Sequence, residues 1–575
     1  MKYIDLLESN RQLEKSLTGP KYKIAVVSNI TINQIKEPLE FILRQEGINA
    51  EVTIGSYDNI IQDCEHYSTY NAVIVFWEAI NFTDGFQSKA LNWTPKQLSE
   101  TYKSISTAIS LLANYLARTP LVLINRFSTI TFNTNVLRKT PLHELCDQLN
   151  EHLASSVPPS TIIVDTNAVI AKIGLHNAVD FRRYHTFRAL YTPQFFKNFA
   201  EAVKPAFMAV TGHTKKVLVL DCDNTLWAGI LGEDGENGID MGPDSPQGKA
   251  FHEVQNLLLG YKKQGVILAI CSKNNPLDLE NVLKNHPEMV LRHQDFAALK
   301  INWRDKSENI RELAKDLNLG LDSFVFLDDS EFEIGLVHAS LPQVKCILVP
   351  KHSSEYPTLI REVALLFFSL SQTTEDINKT ELYLQNIARV NSSEMFTTTV
   401  DYLRSLQLKL TMLWNLQVPI ARAAQMSQKT NQFNLTTPRY TEAEIIRMQQ
   451  SPEYHLGAFA LKDCYGEYGI SGLAVVRQDR RNLTTAEIEC FLMSCRVIGR
   501  QVEYCFIQQI IFHLKSLGIQ TLRAKYLASS KNNQVADFYD ILGFTVVSYS
   551  TQSTDYQLQI SDFKITGDIY IELAP

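Results

Sequence analysis

Three short apolar runs in the middle of this chain each end in residues that can do chemistry. VLVL (217–220) runs into Asp221-Cys222-Asp223, VILAI (266–270) into Cys271-Ser272, and SFVFL (323–327) into Asp328-Asp329. Runs this short and this apolar read as parallel strands buried on both faces. In an open parallel sheet the ligand crevice lies outside the carboxyl ends of the strands, so all these polar residues are expected at one place.

A helix is expected to start at the same place. Asp305-Lys306-Ser307-Glu308 has the D-x-x-E form of a capping box, and NIRELAKDL continues it with helical spacing. Lys306 then sits in a first turn, within reach of the crevice. Asp221, Asp223, Asp328 and Asp329 bring four carboxylates there, and two like charges ~4 Å apart repel by about 4 kcal/mol at an effective dielectric of 20. A hard divalent cation relieves this, and Mg²⁺ suits a site that also takes a phosphate.

These residues resemble the haloacid dehalogenase (HAD) superfamily part by part: Asp221-Cys222-Asp223-Asn224-Thr225 as its DxDxT, then Ser272, Lys306 and the acidic pair Asp328-Asp329. The resemblance implies that Asp221 is the nucleophile toward phosphorus and Asp223 the general acid/base. It implies phosphate binding by Thr225, Ser272 and Lys306, and a Mg²⁺ held by Asp221, the Asp223 carbonyl and Asp329 or, as the alternative, Asp328. The spacings from Asp221 to Ser272 and from Ser272 to Lys306 leave little room for the cap domain that many members fold over small substrates. An open crevice admits a large, protein-borne acceptor.

The stretch LDCDNTLWAGILGEDG is more particular, and is similar to the FkbH-like family (HAD subfamily IIIC). INWRDKSENIRELAKDLNLGLDSFVFLDDSEFE, SQKTNQFNLTTPRY and FLMSCRVIGRQVE agree with it, so the resemblance covers nearly the whole chain. It implies loading of a glyceryl unit from 1,3-bisphosphoglycerate onto the phosphopantetheine thiol of an acyl carrier protein, with dephosphorylation, in a polyketide-type pathway. Where that family tends to have D-D-N-P-x-E-R, this chain has Asp328-Asp329-Ser330-Glu331-Phe332-Glu333-Ile334, so a cation of the family site is missing from the motif. The family chemistry also implies a role for Cys222, as the thiolate that accepts glyceryl as a thioester before the carrier does. Strand alternation offers the opposite reading, a small side chain turned into the core.

The flanking regions read as separate modules. Residues 1–210 alternate strands (KIAVVS, AVIVFW, PLVLIN, TIIVD) with helical stretches, an SGNH- or flavodoxin-like α/β domain. Ser28 lacks the Gly-Asp that an SGNH nucleophile has before it, and Asp180 and His185 lack the D-x-x-H spacing, so a degenerate domain serving docking or rigidity is expected. Residues 211–365 make the HAD-like domain and 366–400 a polar helical linker. Residues 401–575 resemble a GNAT acyltransferase of α+β fold, with KNNQVADFYDILGF as its closing helix and strand. Arg496 and Gly499 lie in a stretch similar to its pyrophosphate loop, and imply CoA or pantetheine binding. Gln501 stands where a small residue belongs, since backbone N–H groups at a helix start must approach the phosphates. The amides of KTNQFN are expected in a buried hydrogen-bond network.

Composition narrows the function classes. At 575 residues the chain exceeds one hydrophobic core. A formal net charge of −7 supplies no attraction to nucleic acid or to an anionic membrane. No apolar run approaches the ~20 residues of a membrane helix, and the N-terminus lacks a signal peptide's apolar region, so the cytosol is expected. Nine cysteines without a CxxC pair fit neither a disulfide framework nor zinc. The FkbH-like resemblance implies a glyceryl-loading enzyme, with a Mg²⁺-dependent phosphatase of a small metabolite or protein as the alternative.

Overall fold

The computed structural model describes residues 3–133, 137–158, 160–393, 396, 398–529, 531–564 and 570–574. They fall into two compact units, Met1–Thr211 with Tyr440–Arg447, and Gly212–Arg439 with Met448–Pro575. Among the described residues no helix is long and apolar enough to cross a membrane.

The first unit is built on a parallel sheet of β1 (Tyr22–Ser28), β2 (Ala50–Tyr57), β3 (Ala72–Phe76), β4 (Leu121–Asn125) and β5 (Thr161–Val164), in the order β2-β1-β3-β4-β5. This is a doubly wound order, with helices on both faces. The central β3 and β4 are buried along their whole length, whereas the edge strand β2 shows one face to solvent. The apolar runs announced β1, β3, β4 and also the half-buried edge β5, whose TIIV run is apolar throughout, whereas β2, whose sequence alternates, did not stand out.

The second unit holds two sheets. The central one is parallel, β6 (Val217–Leu220), β7 (Ile267–Ser272), β8 (Ala298–Ile301), β9 (Phe324–Asp328) and β10 (Lys345–Leu348), ordered β10-β9-β6-β7-β8. Again the two unexpected strands, β8 and β10, are half-buried edges. Leu220 pairs with Ile270 on one side and Leu327 on the other, so Asp221, Cys271 and Asp328 leave the sheet at one level.

The remaining strands form a mixed sheet: β11 (Lys409–Trp414), β12 (Phe433–Asn434), β13 (Tyr454–Asp463), β14 (Gly466–Gln478), β15 (Thr485–Met493), β16 (Thr521–Leu527), β17 (Thr545–Tyr549), β18 (Ser553–Gln559) and β19 (Glu572–Ala574). The main path is β17-β18-β16-β15-β14-β13-β11-β19. The parallel strands β15 and β16 pair only over Thr485–Ile488, and beyond that β15 pairs with β12 instead. The helix Val502–Ser516 covers the sheet with Val502, Phe506, Ile510 and Leu514 buried.

The helix Lys379–Ser393 is not spent as a polar linker. Its Arg389 is fully buried, donating to both Asp463 carboxylate oxygens at 2.7 and 2.9 Å and lying 4.1 Å over the Tyr468 ring. Polarity there reflects a buried ion pair, which composition alone does not separate from a solvated helix face.

Candidate active site

The three strand ends converge as expected. Lys306 is buried in the first turn of the helix Lys306–Asp316, and its ammonium lies 2.6 Å from Asp328 Oδ2 and 3.1 Å from Asp221 Oδ1. Burial alone would lower the Lys306 pKa, but the Asp221 and Asp328 carboxylates outweigh it and raise it above its ordinary value. The D-x-x-E capping box does not form. Asp305 caps the helix through the Ser307 amide at 2.8 Å, and Glu308 turns outward to pair with Arg304 at 3.1 Å. An Arg four residues before Glu308 competes for the carboxylate that the box required.

Asp221, Asp328 and Asp329 each bring one oxygen within 4.8 Å of the others. Burial first, then the Asp221 charge, raises the Asp328 carboxyl. Asp329 sits at the exposed rim, where partial desolvation followed by Asp221 and Asp328 pushes it up to about 6, opposed by a hydrogen bond from Asn224. Asp221 Oδ1 is buried with no aligned hydrogen-bond donor, although Lys306 neutralises it in part. Three carboxylates against one ammonium, all oxygen donors, with one buried lone pair unfilled, fit a hard divalent cation.

Asp223 is held apart from this cluster. Its Oδ1 accepts from Trp227 Nε1 and the Leu231 amide, each at 3.0 Å, and its Oδ2 from Asn274 Nδ2 at 2.8 Å. The turn that carries it depends on Asn224, which sits in the left-handed region at φ 51° and accepts from the Gly229 amide at 3.1 Å. Gln255, fully buried on the helix Pro246–Lys263, holds the same turn by donating to the Leu226 carbonyl at 2.7 Å.

The Cys222 expectation requires correction. The Asp221 amide still donates to Leu327 at 3.0 Å, so strand alternation persists one residue beyond β6. Leu218, Leu220 and Cys222 therefore share a face, and the thiol is fully buried among Trp227, Leu226 and Leu258. Burial, followed by the Asp221 charge, raises it well above the ordinary thiol range, and its hydrogen bond with Ser272 only partly opposes this. A thiol so placed does not ionise readily or meet an acyl donor. Ser272, 1% exposed, lies on that same inner face. Thr225 is fully buried; its carbonyl accepts from Tyr356 at 3.0 Å and its hydroxyl has no partner.

Sequence reasoning missed Lys273 and Glu333, which form a 2.7 Å ion pair beside the acidic cluster. Glu333 Oε2 is buried without a partner. The signal was present, since Glu333 keeps the acidic position of the family motif whose Arg has become Ile334. Ser330 replaces the motif's Asn as a helix cap, accepting from the Glu333 amide, while its own amide donates to Asp328 at 2.8 Å.

The other candidates do not assemble. Ser28 Oγ accepts from the Ile30 amide at 3.0 Å, Asp180 caps the helix Phe181–Phe187, and His185 is exposed on that helix. Arg496 is buried with Nε on Ser494 Oγ at 3.3 Å, whereas Gly499 is exposed at φ 82°. Gln501, left-handed at φ 58°, precedes the helix Val502–Ser516, so Arg496 and Gly499 do not share an open loop at a helix start. The network around KTNQFN is present: fully buried Asn434 accepts from the Thr437 amide at 2.9 Å and donates to the Thr430 carbonyl at 3.3 Å.

No protein-family model and no curated protein matches the sequence. Among solved structures, the N-terminal part of the protein BF1531 from Bacteroides fragilis, described as containing a phosphatase domain complexed with Mg, aligns over 64% of this chain and all of its own, at 24% identity and a TM-score of 0.57. The ribosomal-protein-S18-alanine N-acetyltransferase of Escherichia coli aligns with 28% of this chain and 97% of its own at 16% identity, and Ard1 of Thermoplasma volcanium with 27% and 98% at 14%, both at a TM-score of 0.21. The first likeness identifies the α/β fold of the aligned part; the other two are too slight to add to the strand order described above.

Proposed function

We propose that the second unit carries a Mg²⁺-dependent phosphoryl-transfer site with Asp221 as the nucleophile toward phosphorus. The observation that carries this is the Asp221–Lys306–Asp328 bridge, with Asp329 beside it and one buried Asp221 oxygen lacking a donor. Asp221, Asp328 and Asp329 would hold Mg²⁺, which supplies charge neutralisation for an incoming phosphate. The Mg complexed with the BF1531 phosphatase-domain structure supports that choice of ion.

The chain's own residues carry the steps. Lys306 orients Asp221 and lowers the repulsion between the two buried acids. An Asp221 oxygen forms a bond to phosphorus as the bond to the leaving oxygen breaks, and Asp223 gives that oxygen its proton. Water then attacks the aspartyl phosphate, Asp223 takes the proton, and inorganic phosphate leaves. Trp227, Leu231 and Asn274 hold the Asp223 carboxylate for both transfers.

A finer reading makes the substrate an acyl phosphate and the acceptor a carrier protein: glyceryl passes from 1,3-bisphosphoglycerate to the phosphopantetheine thiol of an acyl carrier protein. It is supported by the FkbH-like sequence resemblance and by an apolar rim. Leu277 and Phe332, in the first turns of the helices Pro276–Asn285 and Glu331–Ser340 that follow β7 and β9, are 75% and 71% exposed, and Trp303, on the loop after β8, is 74% exposed. Large apolar side chains left in water around a crevice suit a macromolecular partner. With Cys222 buried, the carrier sulfur would bond directly to the acyl carbon, the carbon–oxygen bond to the C1 phosphate would break and the thiol proton would go to that departing phosphate. The 3-phosphoglyceryl thioester would then lose its remaining phosphate to water through Asp221 and Asp223 by the steps above, leaving glyceryl on the carrier.

The test is incubation with Mg²⁺, 1,3-bisphosphoglycerate and phosphopantetheinylated carrier protein, followed by intact mass and phosphate assay. Phosphate release that Asp221→Asn abolishes is the expected result, and release unaffected by that change overturns the site. Phosphate release with no mass gain on any carrier protein leaves the phosphatase reading and removes the loading one.

A further inference from the structure

A second set of charges lies at the other ends of the same strands. Lys216 immediately precedes β6, and Asp322 and Ser323 immediately precede β9, whereas Asp221 and Asp328 lie at the carboxyl ends. From Lys216 to Asp221 the strand runs about 16 Å. Around the amino ends is a cavity of about 340 Å³, within the size of a small-molecule site.

Its lining is cationic. Lys216, Lys379, Arg422, Lys429, Arg496 and Lys531 face three carboxylates, Asp322, Glu375 and Asp376. Each carboxylate already has a cation: Lys531 on Asp322 at 2.5 Å, Arg422 on Glu375 at 3.6 Å and Lys429 on Asp376 at 3.6 Å. Three basic side chains, Lys216, Lys379 and Arg496, are left without a carboxylate. Lys216 donates to the Lys429 carbonyl at 2.6 Å and Lys379 to the Gly265 carbonyl at 2.9 Å, which solvates an ammonium without neutralising it. The Arg496 guanidinium, on a residue 6% exposed, has an Nη1 with no hydrogen-bond partner. Burial, then the Lys429 charge, pushes the Lys379 ammonium down to about 7.

Such an excess of buried like charge is stabilised by an anion, as the acidic cluster is by a cation. The neutral lining agrees, since Thr430, Asn431 and Gln432 carry a hydroxyl and two amide NH₂ groups that can donate to an anion. This gives the KTNQFN stretch a use that its burial alone did not explain.

We propose that this cavity binds a small polyanion bearing two or more phosphate or carboxylate charges, at a site separate from the Asp221 crevice. A guanidinium offers paired donors to either group, so the shared chemistry is defined and the two sources are distinguished by experiment.

The experiment is calorimetric titration of the full-length chain, freed of divalent cations on a chelating resin, with pyrophosphate and separately with citrate. At least one is expected to bind; tighter pyrophosphate identifies a phosphate ester and tighter citrate a polycarboxylate. Lys379→Met and Arg496→Met should each weaken binding at least tenfold, while Asp221→Asn leaves it unchanged. Lys379→Met also removes a buried, uncompensated charge, so its ligand-free melting temperature should equal or exceed that of the parent, which separates lost binding from lost folding. Should Arg496→Met not fold, Lys216→Met takes its place in the same comparison. No heat with either anion at millimolar concentration overturns the site, as does equal binding by the folded variants. Binding that disappears in Asp221→Asn assigns the anion to the crevice and overturns it too.

Discussion

The two five-stranded parallel sheets of this molecule present their carboxyl ends in opposite ways. In the first unit, β1, β3 and β4 end in Ser28-Asn29, Trp77-Glu78 and Asn125, and nearly every polar atom is satisfied internally. Asn29 donates to the Glu78 and Asn81 carbonyls at 2.9 and 3.0 Å, Asn125 accepts from the Trp77 amide at 2.6 Å, and Tyr191 donates to Glu78 at 2.8 Å. In the second unit the equivalent ends hold three carboxylates and one ammonium, with an Asp221 oxygen unsatisfied. A closed network rigidifies, while an open one with net charge is poised for a ligand. The same architecture thus hosts a site in one unit and a plug of amides in the other, and only the residues at the strand ends decide which.

The largest expected effect tests the open end. Asp221→Asn should lower Mg²⁺-dependent phosphate release by roughly a thousandfold or more, measured by single-turnover assay; a loss below tenfold would erase the distinction between the sheets. Next, Lys306→Met leaves Asp221 and Asp328 facing each other without their cation. Removing one partner of a buried ion pair costs about 3–5 kcal/mol, read from urea unfolding in the absence of metal. Mg²⁺ should restore part of that loss.

The closed end has its own titration. Burial raises the Glu78 carboxyl from 4.5 to about 7, so between those values the folded state keeps a proton that the unfolded state has released. Its stabilising contribution is full below about pH 4.5 and is lost as pH rises through 7, about 3 kcal/mol in all. Hydrogen exchange at β3 and β4 should quicken over that range, and Glu78→Gln should flatten the dependence.

Smaller effects sharpen the contrast. Cys222→Ala should leave phosphate release within about twofold and cost roughly 1–2 kcal/mol of stability through lost packing; a large kinetic loss without unfolding would return the thiol to the chemistry. Ser28→Ala should remove only the hydrogen bond to Ile30, about 1 kcal/mol, with no change in any hydrolytic rate.

How much of this was legible beforehand follows from burial. Strands in the middle of a parallel sheet are apolar on both faces, so β3, β4, β6, β7 and β9 stood out as runs, whereas β2, β8 and β10 lie at edges and blended with their surroundings. The acidic cluster and Lys306 were legible because parallel topology carries strand ends to one place regardless of intervening loops. Trp227, Gln255 and Asn274 were not, because support of Asp223 and its turn depends on contacts across 4 to 51 residues that no local pattern encodes.

By itself the sequence determined the α/β core, the strand ends and the set of charges gathered there, since apolar runs and their polar endings are local properties. Whether Cys222 faces the acids or the core rested on one further residue of strand alternation, set by the Asp221 amide's bond to Leu327. The cationic cavity was likewise beyond reach of the sequence. Its six cations are spread from residue 216 to residue 531, and only the packing of the chain brings them together and pairs three of them away.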